Sequence, residues 1–539
     1  MSSTDRFPDP HAGPLAPLEQ LGAWLLSVVW HAALALSAGV IAARALRRAH
    51  LHWSWSLVGG VLCLLCRPVI GDSAFALLAA ATFAAVLGRR WHREDLDAGR
   101  DLARVAARRL APAQLPSSLL RALAPRLHSA GGASPWFRGE ELVVGREPGG
   151  RPVSVPFGGS RGGTHTLVIG ATGSGKTMTQ SWMVVGAIER DMAAVVIDPK
   201  GERAMCESLR RAARARGRAF VAWSPEGPSV YNPFARGGSS AIADKALAGE
   251  RFTEPHYLRQ AQRFLGHLVR ALRAAAIEPS LQEIVAHLDP AQLERLARTL
   301  PEADAGPVHA YLDSLTPRQR ADLSGVRDRL AILAESDLGR WLDPRTAGAQ
   351  RFDLLHALRA RSVVYFNLDA DSRPLLSQML GAAIVQDLQS AVATLQGDPV
   401  PSVAVIDEFS ALSVEHVVRL FGRARSAGMS LILGTQELAD LRLAGRERLL
   451  QQVMGNLTTL IAHRQVLPES ATLIAGLAGT RGAWRSSLRS DGSVTRTRAR
   501  EALLGADDLM SLAAGWAAVS VLVRPASATV ARIFTLRPR

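Results

Sequence analysis

The sequence predicts an α/β fold: a parallel-sheet domain carrying an inserted all-α domain and preceded by an N-terminal α-helical transmembrane region. Three observations lead to it. The first is Gly170-Ala171-Thr172-Gly173-Ser174-Gly175-Lys176-Thr177, which fits the P-loop pattern G-x-x-x-x-G-K-[ST] between an apolar strand at 166–169 and a helix at 178–188. The second is Val403-Ala404-Val405-Ile406-Asp407-Glu408, an apolar run ending in two acids, which reads as a Walker B strand. The third is residues 21–43, 23 almost wholly apolar positions with His31 as the sole titratable group, long enough to span a bilayer.

Each element follows from its residues. P-loop glycines let backbone N–H groups curl around phosphate oxygens, and the following helix adds the positive end of its dipole. Residues 170–177 therefore form the candidate nucleotide loop. Lys176 reaches the β- and γ-phosphates, Thr177 and Asp407 hold Mg²⁺, and Glu408 polarises the attacking water. A third strand, 430–436, ends in Gln436, a candidate γ-phosphate sensor. The strand Ala193-Ala194-Val195-Val196-Ile197-Asp198 leads into Pro199-Lys200-Gly201-Glu202, at the sheet end where α/β proteins place their sites.

Composition narrows the partners. The chain has 539 residues, 63 Lys+Arg against 48 Asp+Glu, a net charge of +15 and a pI near 10.9. That balance suits nucleic acid or an acidic lipid surface. Lysine occurs only at Lys176, Lys200 and Lys245. A chain that uses Arg nearly everywhere has kept Lys in the phosphate loop, where a compact ammonium on a flexible stem is suited to the task. Three cysteines, Cys63, Cys66 and Cys206, exclude a disulfide framework. Cys63 and Cys66 lie in an apolar run and read as membrane-buried thiols rather than a redox or zinc pair.

In chain order, residues 1–20 read as a disordered N-terminus and 21–90 as two or three transmembrane helices. The first apolar segment lacks a basic leader and is too long for a signal sequence, so it is expected to be retained. His31 is expected to face a neighbouring helix. Arginines at 44, 47 and 48 and at 89, 90 and 93 favour three spans slightly, because three place both clusters on the inner side. Residues 91–140 form a basic juxtamembrane linker, 141–240 the first part of the nucleotide-binding domain, 241–345 the all-α insertion, and 346–539 the second part.

Together, GATGSGKT at 170–177, Asp198-Pro199-Lys200-Gly201-Glu202, Tyr231-Asn232-Pro233-Phe234, Ile406-Asp407-Glu408-Phe409 and Gly434-Thr435-Gln436 resemble the TraD/TraG-type coupling proteins of conjugation and type IV secretion. The resemblance runs from the membrane segments to the C-terminus. It implies a RecA-like P-loop ATPase using ATP and Mg²⁺, working as a homo-hexamer in the bacterial inner membrane with its ATPase domain cytoplasmic. It also implies relaxase proteins, secretion-channel proteins and DNA as partners, the DNA bound without sequence preference and expected to be single-stranded. Lys176, Thr177, Asp407, Glu408 and Gln436 match the family's motor positions. Arg425 is the best match for an arginine acting on the next subunit's nucleotide, with Arg464 second. Residues 482–539 are short and end basic, without the acidic tail of some members. A docking receptor for protein effectors and an FtsK-type translocase stay open as alternatives, although the linker and winged-helix tail of the latter are not visible after Gly482.

Overall fold

The computed structural model describes residues 16–48, 52–70, 73–97 and 136–535, the last apart from 149, 159–161, 251, 253, 413, 442–446, 489–493 and 524–527. Most of the N-terminal stretch, most of the basic linker and the terminal Leu536-Arg537-Pro538-Arg539 lie outside the described residues. The chain divides into two compact units.

One unit holds the N-terminal helices Ala16–Arg48, Trp55–Leu65, Arg67–Ile70 and Ser73–Asp97. Two segments, Trp24–Leu46 and Ser73–Trp91, are long and apolar enough to cross a membrane. The intervening helix has 11 residues. That is about 16 Å at 1.5 Å per residue, roughly half a hydrocarbon core. The slight charge preference for three spans thus meets no third helix of spanning length among the described residues. Small residues make the contacts: Ala35, Ala43, Ala80 and Ala84 are buried, while Trp24, Val29, Ile41 and Val86 point outward. Small side chains inside and large apolar ones outside is how helices pack in lipid. Among the described residues His31 is exposed rather than packed on another helix of the chain; its Nδ1 donates to Ser27 O at 2.7 Å, within its own helix.

The other unit is built on β1 (Phe137–Arg138), β2 (Glu141–Arg146), β3 (Pro152–Pro156), β4 (His165–Ile169), β5 (Ala193–Asp198), β6 (Phe220–Trp223), β7 (Ser229–Tyr231), β8 (Gln350–Phe352), β9 (Val363–Asn367), β10 (Ser402–Ile406), β11 (Met429–Thr435) and β12 (Thr459–Ala462). Next in the chain are β13 (Thr480–Leu488) and β14 (Val494–Ala502), a two-stranded ribbon that groups with the first unit, and then β15 (Trp516–Val521) and β16 (Thr529–Ile533) of this one. The large sheet runs β1-β2-β16-β15-β12-β4-β11-β10-β5-β9-β6, with β3 beside β2. From β12 to β6 every pairing is parallel. These central strands are apolar on both faces because helices cover both. Alternation sends Leu167, Ile169, Ile197 and Leu433 into one core and Val168, Val196, Val405 and Ile432 into the other. Beyond β12 the sheet continues antiparallel through β15, β16 and β2.

Between β7 and β8 the chain is helical, with Ser239–Leu247, Pro255–Ala274, Leu281–His287, Pro290–Ala297, Glu302–Asp313 and Pro317–Ala334. The starts are encoded locally. Ser280 and Asp289 cap the third and fourth helices, and Thr316 with Gln319 forms a capping box on the sixth. β7 and β8, three residues each, pair in parallel, so the insertion leaves and returns across one short two-stranded sheet. Its root is fixed by a buried ion pair, Lys245 Nζ to Asp387 Oδ1 at 2.6 Å. Tyr231 OH donates to Asp387 Oδ2 at 2.6 Å, and Lys245 also donates to Pro233 O at 2.9 Å. Asn232 accepts from Phe234 N and donates to Pro279 O. The Tyr231–Phe234 stretch is thus a structural joint between sheet and insertion.

Candidate nucleotide site

β11 lies between β4 and β10. This order brings the loop after β4, Asp407-Glu408 after β10 and Gln436 after β11 to one end of the sheet. The P-loop runs into the helix Lys176–Glu189, whose N-cap is Gly175. A Cβ on Gly170 would lie 2.6 Å from His463 Cβ and 2.8 Å from Ser174 Oγ, so the loop's turn requires glycine there. Thr172 and Gly173 are exposed, while Ser174 and Lys176 are buried. Lys176 Nζ donates to Gly170 O at 2.6 Å. Ser174 Oγ is buried without a hydrogen-bond partner. An orphaned hydroxyl, a glycine cradle and a lysine folded onto the loop's own carbonyl fit an anion taking those donors.

Asp407 and Glu408 face different work. Gln180, one turn beyond Thr177 on the P-loop helix, donates to Asp407 Oδ1 at 3.0 Å. Burial raises the Asp407 pKa above the usual carboxylate value, with the Asp198 charge adding to the shift and the Gln180 hydrogen bond opposing it. A divalent cation between Thr177 and Asp407 would offset that burial cost, and hydroxyl and carboxylate oxygens are the hard donors Mg²⁺ takes. Gly434 permits this approach of strands: a Cβ there would fall 2.1 Å from Asp407 Oδ1. Glu408 has φ 40°, a left-handed conformation that costs a non-glycine residue energy and recurs at functional sites. Its Oε2 accepts from Gln436 Nε2 at 3.0 Å and faces Lys200 Nζ at 3.4 Å. Gln436 Oε1 accepts from Thr172 Oγ1 at 3.2 Å, tying the P-loop to the acidic strand.

Asp198 organises its own loop. It accepts from Lys200 N at 2.9 Å, from Glu202 N at 2.7 Å and from Tyr365 OH. Arg425 does not join the site in its own chain. It precedes β11, whose seven residues place it about 20 Å from the Gln436 end at 3.3 Å per residue. Arg464 sits at the rim of its own P-loop, its carbonyl accepting from Ala171 N at 3.0 Å.

The sequence gives no sign of His463, which is fully buried beneath the loop. Its Nε2 lies 2.8 Å from Thr179 Oγ1, and its Nδ1 donates to Trp516 O at 3.1 Å. Gly515 N donates to Ser174 O at 3.0 Å, so the β15 segment braces the P-loop. Burial lowers the pKa of His463 to about 4, helped by the Lys176 charge, and burial likewise lowers His165 to about 4. Folding thus keeps both rings neutral. On acidification the unfolded chain takes up protons first, so stability is intact above about pH 6.5 and falls as pH drops toward 4. Each ring contributes on the order of 3 kcal/mol to that loss. Thermal melts between pH 7.5 and 4.5 check this, with His165→Gln and His463→Gln expected to flatten the decline.

The family model described as the type IV secretion-system coupling protein DNA-binding domain matches residues 152–533. The type 4 coupling protein DotL of Legionella pneumophila is 22% identical over 355 residues, 53% of this chain and 45% of that protein. The chain therefore spans less than half the length of this curated relative. Among solved structures, the unbound conjugative coupling protein TrwB is similar at TM-score 0.55 and 16% identity, covering 76% of this chain and 97% of that one. TrwB in complex with ADP and Mg²⁺ is similar at TM-score 0.53 and 16% identity, covering 69% and 86%. The shared architecture is the RecA-like α/β nucleoside-triphosphatase fold. With 152–533 matched, this chain belongs to the type IV secretion-system coupling proteins.

Proposed function

We propose that this chain is an ATPase of the bacterial inner membrane that couples a relaxase–DNA substrate to a type IV secretion channel and drives DNA transfer by ATP hydrolysis. The observation that carries the reading is the chain of contacts from Thr172 through Gln436 to Glu408, which links the P-loop to the acidic strand. In this reading the 170–177 backbone and Lys176 bind the phosphates, and Thr177 and Asp407 hold Mg²⁺. That ion would neutralise charge on the β- and γ-phosphates. Glu408 polarises the attacking water, and Gln436 reports the terminal phosphate to both strands. Arg425 is remote from its own site and acts on a neighbouring subunit's nucleotide in a homo-hexamer, where a guanidinium stabilises charge that appears only in the transition state. The two long apolar helices anchor the ATPase to the membrane.

The net charge of +15 supports DNA held through its phosphates, without sequence reading. Fluorescence anisotropy of the detergent-solubilised chain with single-stranded oligonucleotides of unrelated sequence tests this. Equal affinities that fall steeply with salt are expected, with log affinity linear in log salt. Binding that is absent or indifferent to salt would move the reading to a docking receptor for protein effectors.

A further inference from the structure

Two of the three lysines have a place, Lys176 in the P-loop and Lys245 at the root of the insertion. The third, Lys200, follows β5, the strand that pairs with β10. Its loop is held firmly. Asp198 accepts from Lys200 N and Glu202 N, and Ala370 N donates to Pro199 O at 2.6 Å. From this fixed backbone the side chain, 42% exposed, reaches Glu408 Oε2 at 3.4 Å. The same oxygen accepts from Gln436, which in turn contacts Thr172 of the P-loop. The Lys200 ammonium therefore sits at the mouth of the phosphate site, on the carboxylate assigned to the water.

Both site lysines rest on protein acceptors, Lys176 on Gly170 O and Lys200 on Glu408. A 3.4 Å pair with a partly solvated lysine is weak, and a terminal phosphate carries more charge than one carboxylate. While the cation holds Glu408 Oε2, it occupies the lone pair a water proton would use. An ammonium on a four-carbon stem can change acceptors; a guanidinium fork binds a carboxylate bidentately and stays. That difference accounts for lysine at this position in so arginine-rich a chain.

We propose that Lys200 holds Glu408 in the nucleotide-free protein and passes to the terminal phosphate when ATP fills the P-loop, leaving Glu408 free to take up the attacking water. This rests on the ATPase reading above. The test uses the full chain in detergent as wild type, Lys200→Ala and Lys200→Arg, measuring affinity for ADP and for a non-hydrolysable ATP analogue, with kcat and KM. Lys200→Ala should weaken the analogue about tenfold, the size of one charge-assisted hydrogen bond, and leave ADP binding unchanged. Lys200→Arg should restore neither analogue affinity nor kcat, because the guanidinium keeps its grip on Glu408 and does not pass to the phosphate. Equal loss toward both nucleotides, or loss toward neither, would overturn the proposal and leave the ATPase reading standing. A wild-type chain that binds neither nucleotide would overturn both.

Discussion

Glu408→Gln should lower ATP turnover by about 10²–10⁴-fold, the range ascribed to a positioned general base, while nucleotide binding persists. The amide keeps the shape of the carboxylate and can still meet Gln436, so the 402–406 strand and the P-loop contact to Gln436 should survive. What is lost is the charge that draws a proton from water. Steady-state hydrolysis measured beside nucleotide affinity separates these effects. A variant that loses binding and turnover together would mean that Glu408 shapes the site instead of acting on the water.

Lys245→Ala should destabilise the nucleotide domain by about 3–5 kcal/mol, the usual consequence of stranding one partner of a buried ion pair. Asp387 would keep Tyr231 as a donor but lose the ammonium, and Pro233 O and Arg236 O would each lose a hydrogen bond. The effect should spread from the root of the insertion, because Lys245 belongs to the helix Ser239–Leu247 and Asp387 to Pro374–Leu395. Denaturant or thermal melts read the loss. Lys245→Met, which keeps an apolar stem but leaves Asp387 unpaired, should be nearly as harmful. Adding Asp387→Leu to Lys245→Met should recover part of the stability, since a buried pair can give way to apolar packing.

What was legible in the sequence was local. The glycine spacing of 170–177, the apolar run ending at Asp407-Glu408 and the strand ending at Gln436 each carry their meaning within a few residues. The parallel core follows from strands apolar on both faces. The braces on the site are not local. Thr179 and His463 meet across 284 positions, and Gln180 and Asp407 across 227. Nothing near His463 in the sequence marks it as a P-loop support, because its role depends on β12 lying beside β4. The antiparallel extension through β15 and β16 is equally hidden, since which strands pair is decided by distant neighbours. Lys200 stands between these cases: its rarity is visible in the sequence, its partner only in the fold.

The most direct measurement is ATP hydrolysis by the full chain in detergent, with and without single-stranded DNA, beside Lys176→Ala. The expected result is turnover that DNA stimulates, that loses the stimulation as salt rises, and that falls by about 10²-fold or more without the lysine at the phosphates. Turnover that ignores DNA, or that survives in Lys176→Ala, would contradict a DNA-driven motor built on this P-loop.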